Sequence, residues 1–379
     1  MDFEPLPEHE AFRKVVREFA QAEITPHVEE WDRTRTFPLE AVGKMGDLGL
    51  FGLPFPEEYG GSGSDFTTLC IAIEELARVD QSVAITLEAG VGLGAGPIYQ
   101  FGTGKQKERW LPDLAAGRAL AGFGLTEAEA GSDAGATRTK AELDGDSWVI
   151  NGTKAFITNS GTPITSLVTV TARTGPDEIS ALIVPAGTPG FTVEPAYRKM
   201  GWHASDTHGL VFEDCRVPVE NVLGERGQGF RQFLSILDDG RIAIAALAVG
   251  VAQACLDHSV AYATERATFG RPIGGNQAIA FKCADMEIAV NAARLLTYRA
   301  AWLKDRDQPF KQAAAVAKVC ATEAAVTATR EAVQIFGGAG FLDETPVSRH
   351  YRDAKMLEIG EGTSEIQRLV ISRGLGLPI

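Results

Sequence analysis

Three stretches of the chain carry residue types at spacings that could do chemistry. Gly90-Val91-Gly92-Leu93-Gly94-Ala95 satisfies the G-x-G-x-x-G/A pattern. A dinucleotide site built on it needs a preceding strand and a helix opening at the glycines. Its flanks read as helical, so close backbone packing is the better reading. Gly124 to Ala136 runs from a strand-like segment into a loop of small residues carrying Thr126 and Ser132. Backbone N–H groups of such a loop can donate to the carbonyls of a flat heterocycle and admit its close approach. On chemistry alone a simple β-turn is the stronger reading. Asp238-Asp239-Gly240-Arg241 opens a long apolar helical pattern, where the helix dipole favours acidic residues. No G-x-x-x-x-G-K-[ST], H-E-x-x-H or G-x-S-x-G occurs, and no two of the six histidines stand at ligand spacing. P-loop hydrolysis, zinc hydrolysis and nicotinamide chemistry lose support, and no metal site is expected.

The elements that must position such groups fall into three blocks. Up to about residue 120 the apolar residues recur at helical intervals, as in Glu8 to Glu30, Leu39 to Gly46 and Thr67 to Val79. From 121 to 229 the chain turns to short β-type runs. Among them are Trp148-Val149-Ile150, Phe156-Ile157-Thr158, Leu167 to Thr171, Ala181 to Val184 and Leu210 to Phe212. Asp144-Gly145 and Asn151-Gly152 read as hairpin turns, because type I′ turns require the positive φ that Gly, Asn and Asp tolerate. From 230 to 379 long Ala-rich helical segments return: Arg241 to Ala267, Gln277 to Lys304 and Gln312 to Phe336. The expected fold is therefore α+β: an N-terminal helical domain, a middle β-barrel or sandwich, and a C-terminal bundle of long helices.

Composition narrows the function classes. The 379 residues carry 50 Asp and Glu against 36 Lys and Arg, a net charge of −14. Phosphate recognition on nucleic acid needs a cationic surface, so that class is disfavoured. Cys70, Cys215, Cys255, Cys283 and Cys320 are odd in number with no C-x-x-C pair, which fits buried thiols in a reducing compartment. Met1 to Glu10 is acidic and lacks the basic start and apolar run of a secretory signal. No stretch approaches the ~20 apolar residues of a membrane span. The expectation is a soluble, cytoplasmic protein.

Against this background the blocks of sequence resemble the acyl-CoA dehydrogenase family. Gly124 to Ala136 matches that family's first signature, and Gln334-Ile335-Phe336-Gly337-Gly338-Ala339-Gly340-Phe341 with Glu344, Arg349 and Asp353 matches its second. Trp148 to Asn159, Arg266 to Arg271 and Glu361 to Arg368 match further blocks in family order. The similarity spans essentially the whole chain and implies the same α–β–α fold and an FAD cofactor.

The resemblance implies roles residue by residue. Phe156, Ile157 and Thr158 would lie against the flavin ring, with Leu125, Thr126 and Ser132 near its pyrimidine edge and pyrophosphate. Phe156 stands where the family often has Trp, and it still supplies an aromatic face. Arg266, Phe269, Gln277, Gln334 and Gly338 match positions that reach FAD across a subunit boundary, and Thr363 and Glu365 match positions near the adenine. Ser132, Asp238, Arg241, Gly360 and Gly362 fall at substrate-facing positions. Glu361 matches the family's usual catalytic base: an α-proton of a thioester is weakly acidic, and its removal needs a carboxylate aimed at it in a dry site. The isovaleryl-type branch carries its glutamate immediately before the helix arginine, a position that is Gly240 here.

Gly360 departs from the Tyr common in straight-chain members. It either opens space beside the substrate's Cα and Cβ or serves a backbone φ above zero that places Glu361. Asp80 to Gly104, which resembles the helix closing the acyl end of the pocket, contains no Lys or Arg and so argues against a distal carboxylate on the substrate. Its Gly92, Gly94, Ala95 and Gly96 leave either a deep cavity or closely packed helices. The implied activity is dehydrogenation of an acyl-CoA to a trans-2-enoyl-CoA in a homotetramer, with electrons passing to an electron-transfer flavoprotein. An oxygen-using flavin oxidase or monooxygenase on the same scaffold, or a non-catalytic acyl-CoA-binding paralogue, are the rival readings.

Overall fold

The structure, a computed structural model, describes residues 6–378, so the reading of Met1 to Pro5 lies outside it. Seven helices precede the first strand: α1 (Pro7–Phe19), α2 (Val28–Thr34), α3 (Leu39–Asp47), α4 (Phe66–Ala77), α5 (Gln81–Glu88), α6 (Gly96–Phe101) and α7 (Gly104–Ala115). Their starts are written locally. Asp65 caps α4 by accepting from the Thr68 N–H, Asp80 caps α5 through the Val83 N–H, and Thr103 and Gln106 form a reciprocal capping box on α7. The single helix expected over Glu8 to Glu30 is broken. A π-type turn at Ala20–Ile24 ends α1, and the chain turns at Pro26 before α2 begins.

Eight strands follow: β1 (Leu120–Gly124), β2 (Lys140–Asp144), β3 (Ser147–Thr158), β4 (Thr165–Gly175), β5 (Glu178–Pro185), β6 (Phe191–Val193), β7 (Thr207–Pro218) and β8 (Val222–Leu223). They form one mixed sheet in the order β6-β7-β3-β2-β4-β5-β8, with β1 running parallel beside β4. The two halves share one core. Trp148, Ile150, Leu210, Phe212 and Val217 of β3 and β7 cluster with Val168, Val170, Leu182 and Val184 of β4 and β5. The expected Asp144-Gly145 turn joins β2 to β3, with Gly145 at φ 64°. Asn151-Gly152 is not a turn. It is a bulge within β3, where the register against β7 shifts and Gly152 sits at φ 145° with its Cα side against Thr139.

The C-terminal bundle comprises α8 (Gly229–Glu265), α9 (Gln277–Lys304), α10 (Lys311–Phe336), α11 (Pro346–Ala354) and α12 (Ser364–Gly374); β9 (Ala267–Thr268) and β10 (Arg271–Pro272) pair in the α8–α9 connection. Ala243 to Ala252 of α8 is buried on every side, as befits a helix packed against α4, α5, α9 and α10 at once. α8 starts at Gly229, so Asp238 to Arg241 lie in its third and fourth turns rather than at its start. The helix dipole, which acts within the first turn, does not account for Asp238. Phe123 of β1 stacks on Phe233 of α8 at 4.1 Å, fastening the sheet to the bundle.

Candidate active site

The turn between α11 and α12 carries Glu361. Its φ of 54° and the φ of 93° at Gly362 place two consecutive residues in the left-handed region, which for a glutamate is a strained conformation that surroundings must impose. Two buried side chains impose it. Lys318 of α10, fully buried, donates its Nζ to the Gly360 carbonyl at 2.9 Å and the Gly362 carbonyl at 2.8 Å. Gln367 of α12 donates to the carbonyls of Glu361 (3.2 Å) and Gly362 (2.8 Å). Gly360 itself lies outside the left-handed region, and a Cβ there would meet only the flexible Met356 Cε at 3.3 Å and the Met356 carbonyl at 3.5 Å. The left-handed geometry thus belongs to Glu361 and Gly362, not to Gly360.

The Glu361 carboxylate points inward to α8 and α5. A Cβ on Gly240 would fall 1.9 Å from Glu361 Oε2, so glycine at that point of α8 is what admits the carboxylate. Arg241 is buried beside it and ion-pairs with Asp238 one turn back, while Asp239 turns away to Lys304 and Gln100. Glu88, at the end of α5, is 1% exposed. The carboxyl oxygens of Glu88 and Glu361 are buried and have no hydrogen-bond partner among the described residues. Burial pushes Glu361 up to about 7, opposed by Glu88 and by the charges of Lys318 and Arg241. Burial and then the Glu361 charge push Glu88 well above the carboxylate range. Burial pulls the Lys318 ammonium down to about 8, with Glu361 pulling the other way. The cluster therefore holds a buried carboxyl with the basic side chains of Lys318 and Arg241 acting on it.

After Glu88 the chain forms a π-type turn, Ala89–Ala95. Its glycines divide by function. A Cβ on Gly90 would strike Phe51 at 2.8 Å and one on Gly94 the Ala121 carbonyl at 2.8 Å, so both serve close packing. Gly92 has only Glu88 Oε1 in reach, at 3.2 Å, and Gly96 meets nothing closer than 3.5 Å. Gly92 thus keeps space at Glu88, while Gly96 borders Val91 and Ile236.

A second group forms around β3. The β3–β7 register shifts between Lys154 and Ile157, and within that bulge Phe156 takes φ 62°. The bulge turns Phe156 outward, 61% exposed, with the Tyr197 ring 5.2 Å away. Ile157 points into the sheet core, so only its main chain is presented, and Thr158 is half-buried beside it. The Ala155 N–H donates to the Thr126 carbonyl, joining this bulge to the loop after β1. That loop is held from within. Lys154 is buried and donates to the Leu125 carbonyl and to Glu127 at 2.8 Å, while Glu127 also accepts from Thr137 and from the Arg138 and Thr139 N–H groups. Burial pushes Glu127 up, but Lys154 and these donors outweigh it and hold the carboxyl at about 2. Leu125 is buried, Thr126 half-buried and Ser132 exposed, with open space above Gly131.

The remaining expected residues lie elsewhere. Arg266, Phe269 and Gln277 are exposed at the α8–α9 connection, and Gln334 and Gly338 are exposed where α10 ends. No hydrogen bond or ring contact joins either group to Phe156 or Thr158 among the described residues. Thr363 is the N-cap of α12, accepting from the Ile366 N–H, and Glu365 is exposed in its first turn.

An exposed aromatic on a bulged strand and a loop of small residues with free space suit a flat ring and a pyrophosphate. FAD fits this set. Glu88, Lys318 and the Glu127–Lys154 pair were missed by sequence reasoning. Lys318 sits in register with Ala314, Ala321 and Ala325 on the buried stripe of α10, and Glu88 interrupts the apolar run from Val83 to Val91. In each case the signal was a charged residue on an apolar face.

Comparison with known proteins agrees across the chain. Family models for the acyl-CoA dehydrogenase N-terminal, middle and C-terminal domains match residues 6–118, 122–215 and 227–376. The probable acyl-CoA dehydrogenase YngJ of Bacillus subtilis (strain 168) is 53% identical over 378 residues, covering 99% of this chain and all of that protein. The butyryl-CoA dehydrogenase of Megasphaera elsdenii superposes with a TM-score of 0.97 at 44% identity over the full length of both chains. A chain solved in work on the electron transferring flavoprotein of Acidaminococcus fermentans superposes at 0.96 with 44% identity, covering 99% of each. No helix among the described residues is long and apolar enough to cross a membrane, and no group of potential metal ligands occurs among them. The chain belongs to the acyl-CoA dehydrogenase family of FAD-dependent oxidoreductases, enzymes that act on a CH–CH bond of an acyl-CoA.

Proposed function

We propose that this chain oxidises a short acyl-CoA to its trans-2-enoyl-CoA, with Glu361 taking the α-proton. The observation that carries this reading is the buried Glu361 carboxylate, held in a left-handed turn by Lys318 and Gln367. Phe156 to Thr158 and the Thr126 to Ser132 loop would hold FAD, which would supply the acceptor for the hydride from Cβ. The residues of the chain do the rest. Burial gives Glu361 a basicity suited to proton abstraction near neutral pH. Lys318 and Arg241 favour its ionised form against burial. The Glu361 N–H makes no hydrogen bond among the described residues, and in this reading it serves a thioester oxygen gaining negative charge. The butyryl-CoA named for the Megasphaera elsdenii relative supports a short acyl group.

The physiological acceptor in this reading is an electron-transfer flavoprotein, and the enzyme works as a homotetramer in the cytoplasm. Phe281, Ile288, Leu295 and Trp302 are exposed at intervals of seven along α9, a seam suited to another copy of the chain. The five cysteines are all unpaired, in keeping with a reducing compartment. Anaerobic mixing of the flavinated protein with a panel of straight and branched acyl-CoAs tests the reading by bleaching of the flavin absorbance. Rapid bleaching by four-carbon thioesters, followed by reoxidation by an electron-transfer flavoprotein but not by O2, is expected. No bleaching by any member would leave a binding protein, and fast reoxidation by O2 an oxidase.

A further inference from the structure

His208, near the start of β7, is buried and takes no part in the roles above. Both of its ring nitrogens are engaged: Nδ1 with the Glu194 carbonyl at 2.6 Å and Nε2 with the Asp206 carboxylate at 2.7 Å. The other Asp206 oxygen accepts the Gly161 N–H at 2.9 Å, so the carboxylate serves as an acceptor on both sides. A neutral imidazole has one N–H to give, and only the imidazolium donates to both partners. Lys199, from the connection between β6 and β7, is the neighbouring cation, and its Nζ donates to the Ser205 carbonyl and the Thr207 hydroxyl. Arg35 and Asp353 bear on Lys199 in turn. A Cβ on Gly209 would fall 2.0 Å from Glu194 Oε2 and 3.0 Å from the Tyr197 hydroxyl oxygen, which places both groups beside β7.

These partners flank the segment that presents Phe156 to Thr158. In the β3–β7 register Ile157 pairs with His208 and Thr158 with Thr207. Asp206 fixes the turn that leaves β3, its carbonyl accepting from the Asn159 N–H at 3.2 Å and its carboxylate from Gly161. Asn159 sits there at φ 59°, its side-chain amide donating to the Thr86 carbonyl of α5. Glu194 opens the stretch that runs along β7 to Tyr197, whose ring lies 5.2 Å from that of Phe156. We infer that His208, as the imidazolium, is a positioning residue for the flavin: by donating to Glu194 and Asp206 together it joins the two stretches that flank Phe156 to Thr158 and sets those residues against the ring. The inference rests on FAD lying against those three residues. Loss of the proton leaves one of the two acceptors without its donor, and the hold loosens. The hydrogen bond to Asp206 pushes His208 up from its ordinary 6.5, against burial and the Lys199 charge. The hold is therefore complete below 6.5 and is lost as pH rises through the raised value.

The test is the rate of FAD release from the holoenzyme, followed by flavin fluorescence, from about pH 6 to about pH 9, the range that spans a raised histidine titration. Wild-type release is expected to quicken at least roughly tenfold across it, the worth of one hydrogen bond to a charged group. His208→Gln carries no titrating proton and cannot donate to both partners, so its release is expected to be fast at the acidic end and to lack this rise. A flat wild-type profile, or the same rise in His208→Gln, overturns the proposal. Should His208→Gln not fold, exchange of the histidine ring C–H, read by mass spectrometry on the wild-type holoenzyme, follows the titration of His208 itself. A midpoint above the ordinary 6.5 is expected, and one at or below it overturns the proposal. Failure of the FAD placement is seen separately, as a flavin spectrum and release rate left unchanged by Phe156→Ala.

Discussion

Gly240 and Glu361, 121 positions apart in the chain, share one point in space: a Cβ on the glycine would lie 1.9 Å from Oε2 of the glutamate. A carboxylate grown from α8 at residue 240 would therefore occupy the volume that the Glu361 carboxylate fills now. Glu361→Gly alone should abolish turnover, and adding Gly240→Glu should restore a measurable part of it. The check is the bleaching rate of the double variant against the single one. Equal rates would mean the two positions do not serve the same α-carbon.

Lys318 should matter more than its place in an Ala-rich helix suggests. Lys318→Met keeps the length and apolar stem but leaves the Gly360 carbonyl without its donor and the Gly362 carbonyl with Gln367 alone. Leaving such an acceptor unpaired costs about 1–3 kcal/mol, and the left-handed turn loses half of its clamp. Thermal unfolding should show the loss of stability, and the bleaching rate should fall more than acyl-CoA affinity does. A variant with unchanged rate and lowered stability would make Lys318 a purely structural residue.

Gly360 separates pocket shape from backbone strain. Its φ is ordinary and its nearest neighbour is the end of a flexible Met356 side chain, so Gly360→Ala should fold and keep reducing its flavin. Gly360→Tyr should discriminate against acyl groups branched near the thioester by roughly 1–3 kcal/mol, with less effect on straight chains. Matched straight and branched acyl-CoAs measured in both variants decide this. Loss of all reduction in Gly360→Ala would show that the backbone does need glycine.

Arg266 is exposed between α8 and β9 and carries no ion pair among the described residues. If it clamps the pyrophosphate of a neighbouring subunit's FAD, Arg266→Ala should weaken flavin retention and the oligomer together. Gel filtration with flavin and protein absorbance read side by side would show both. A fully flavinated tetramer after the change would leave Arg266 a surface charge.

The helical–β–helical order, the long bundle helices and the Asp144-Gly145 hairpin were legible because periodicity and turn chemistry are local. Asn151-Gly152 misled because the same dipeptide that suits a type I′ turn also suits a bulge, and only the β7 partner decides between them. Asp238 looked like a helix start because Phe233 and Ile236, which carry α8 back to Gly229, are apolar residues that a β-to-helix boundary leaves ambiguous. The candidate base was readable by family resemblance. So was Gly240, as the alternative position for its carboxylate, whereas Lys318 was not, since it comes from a helix remote in sequence and meets the Glu361 turn only in the folded chain.

The central claim is that Glu361 removes the α-proton, and Glu361→Gln tests it most directly. The amide preserves volume and the hydrogen bonds of the turn, so FAD and acyl-CoA should still bind, as flavin absorbance and its perturbation by ligand would show. In single-turnover anaerobic mixing, the rate of bleaching should fall by at least ~10²–10⁴-fold, the usual share of general-base catalysis. Bleaching at a near wild-type rate in a fully flavinated Glu361→Gln enzyme would contradict the account.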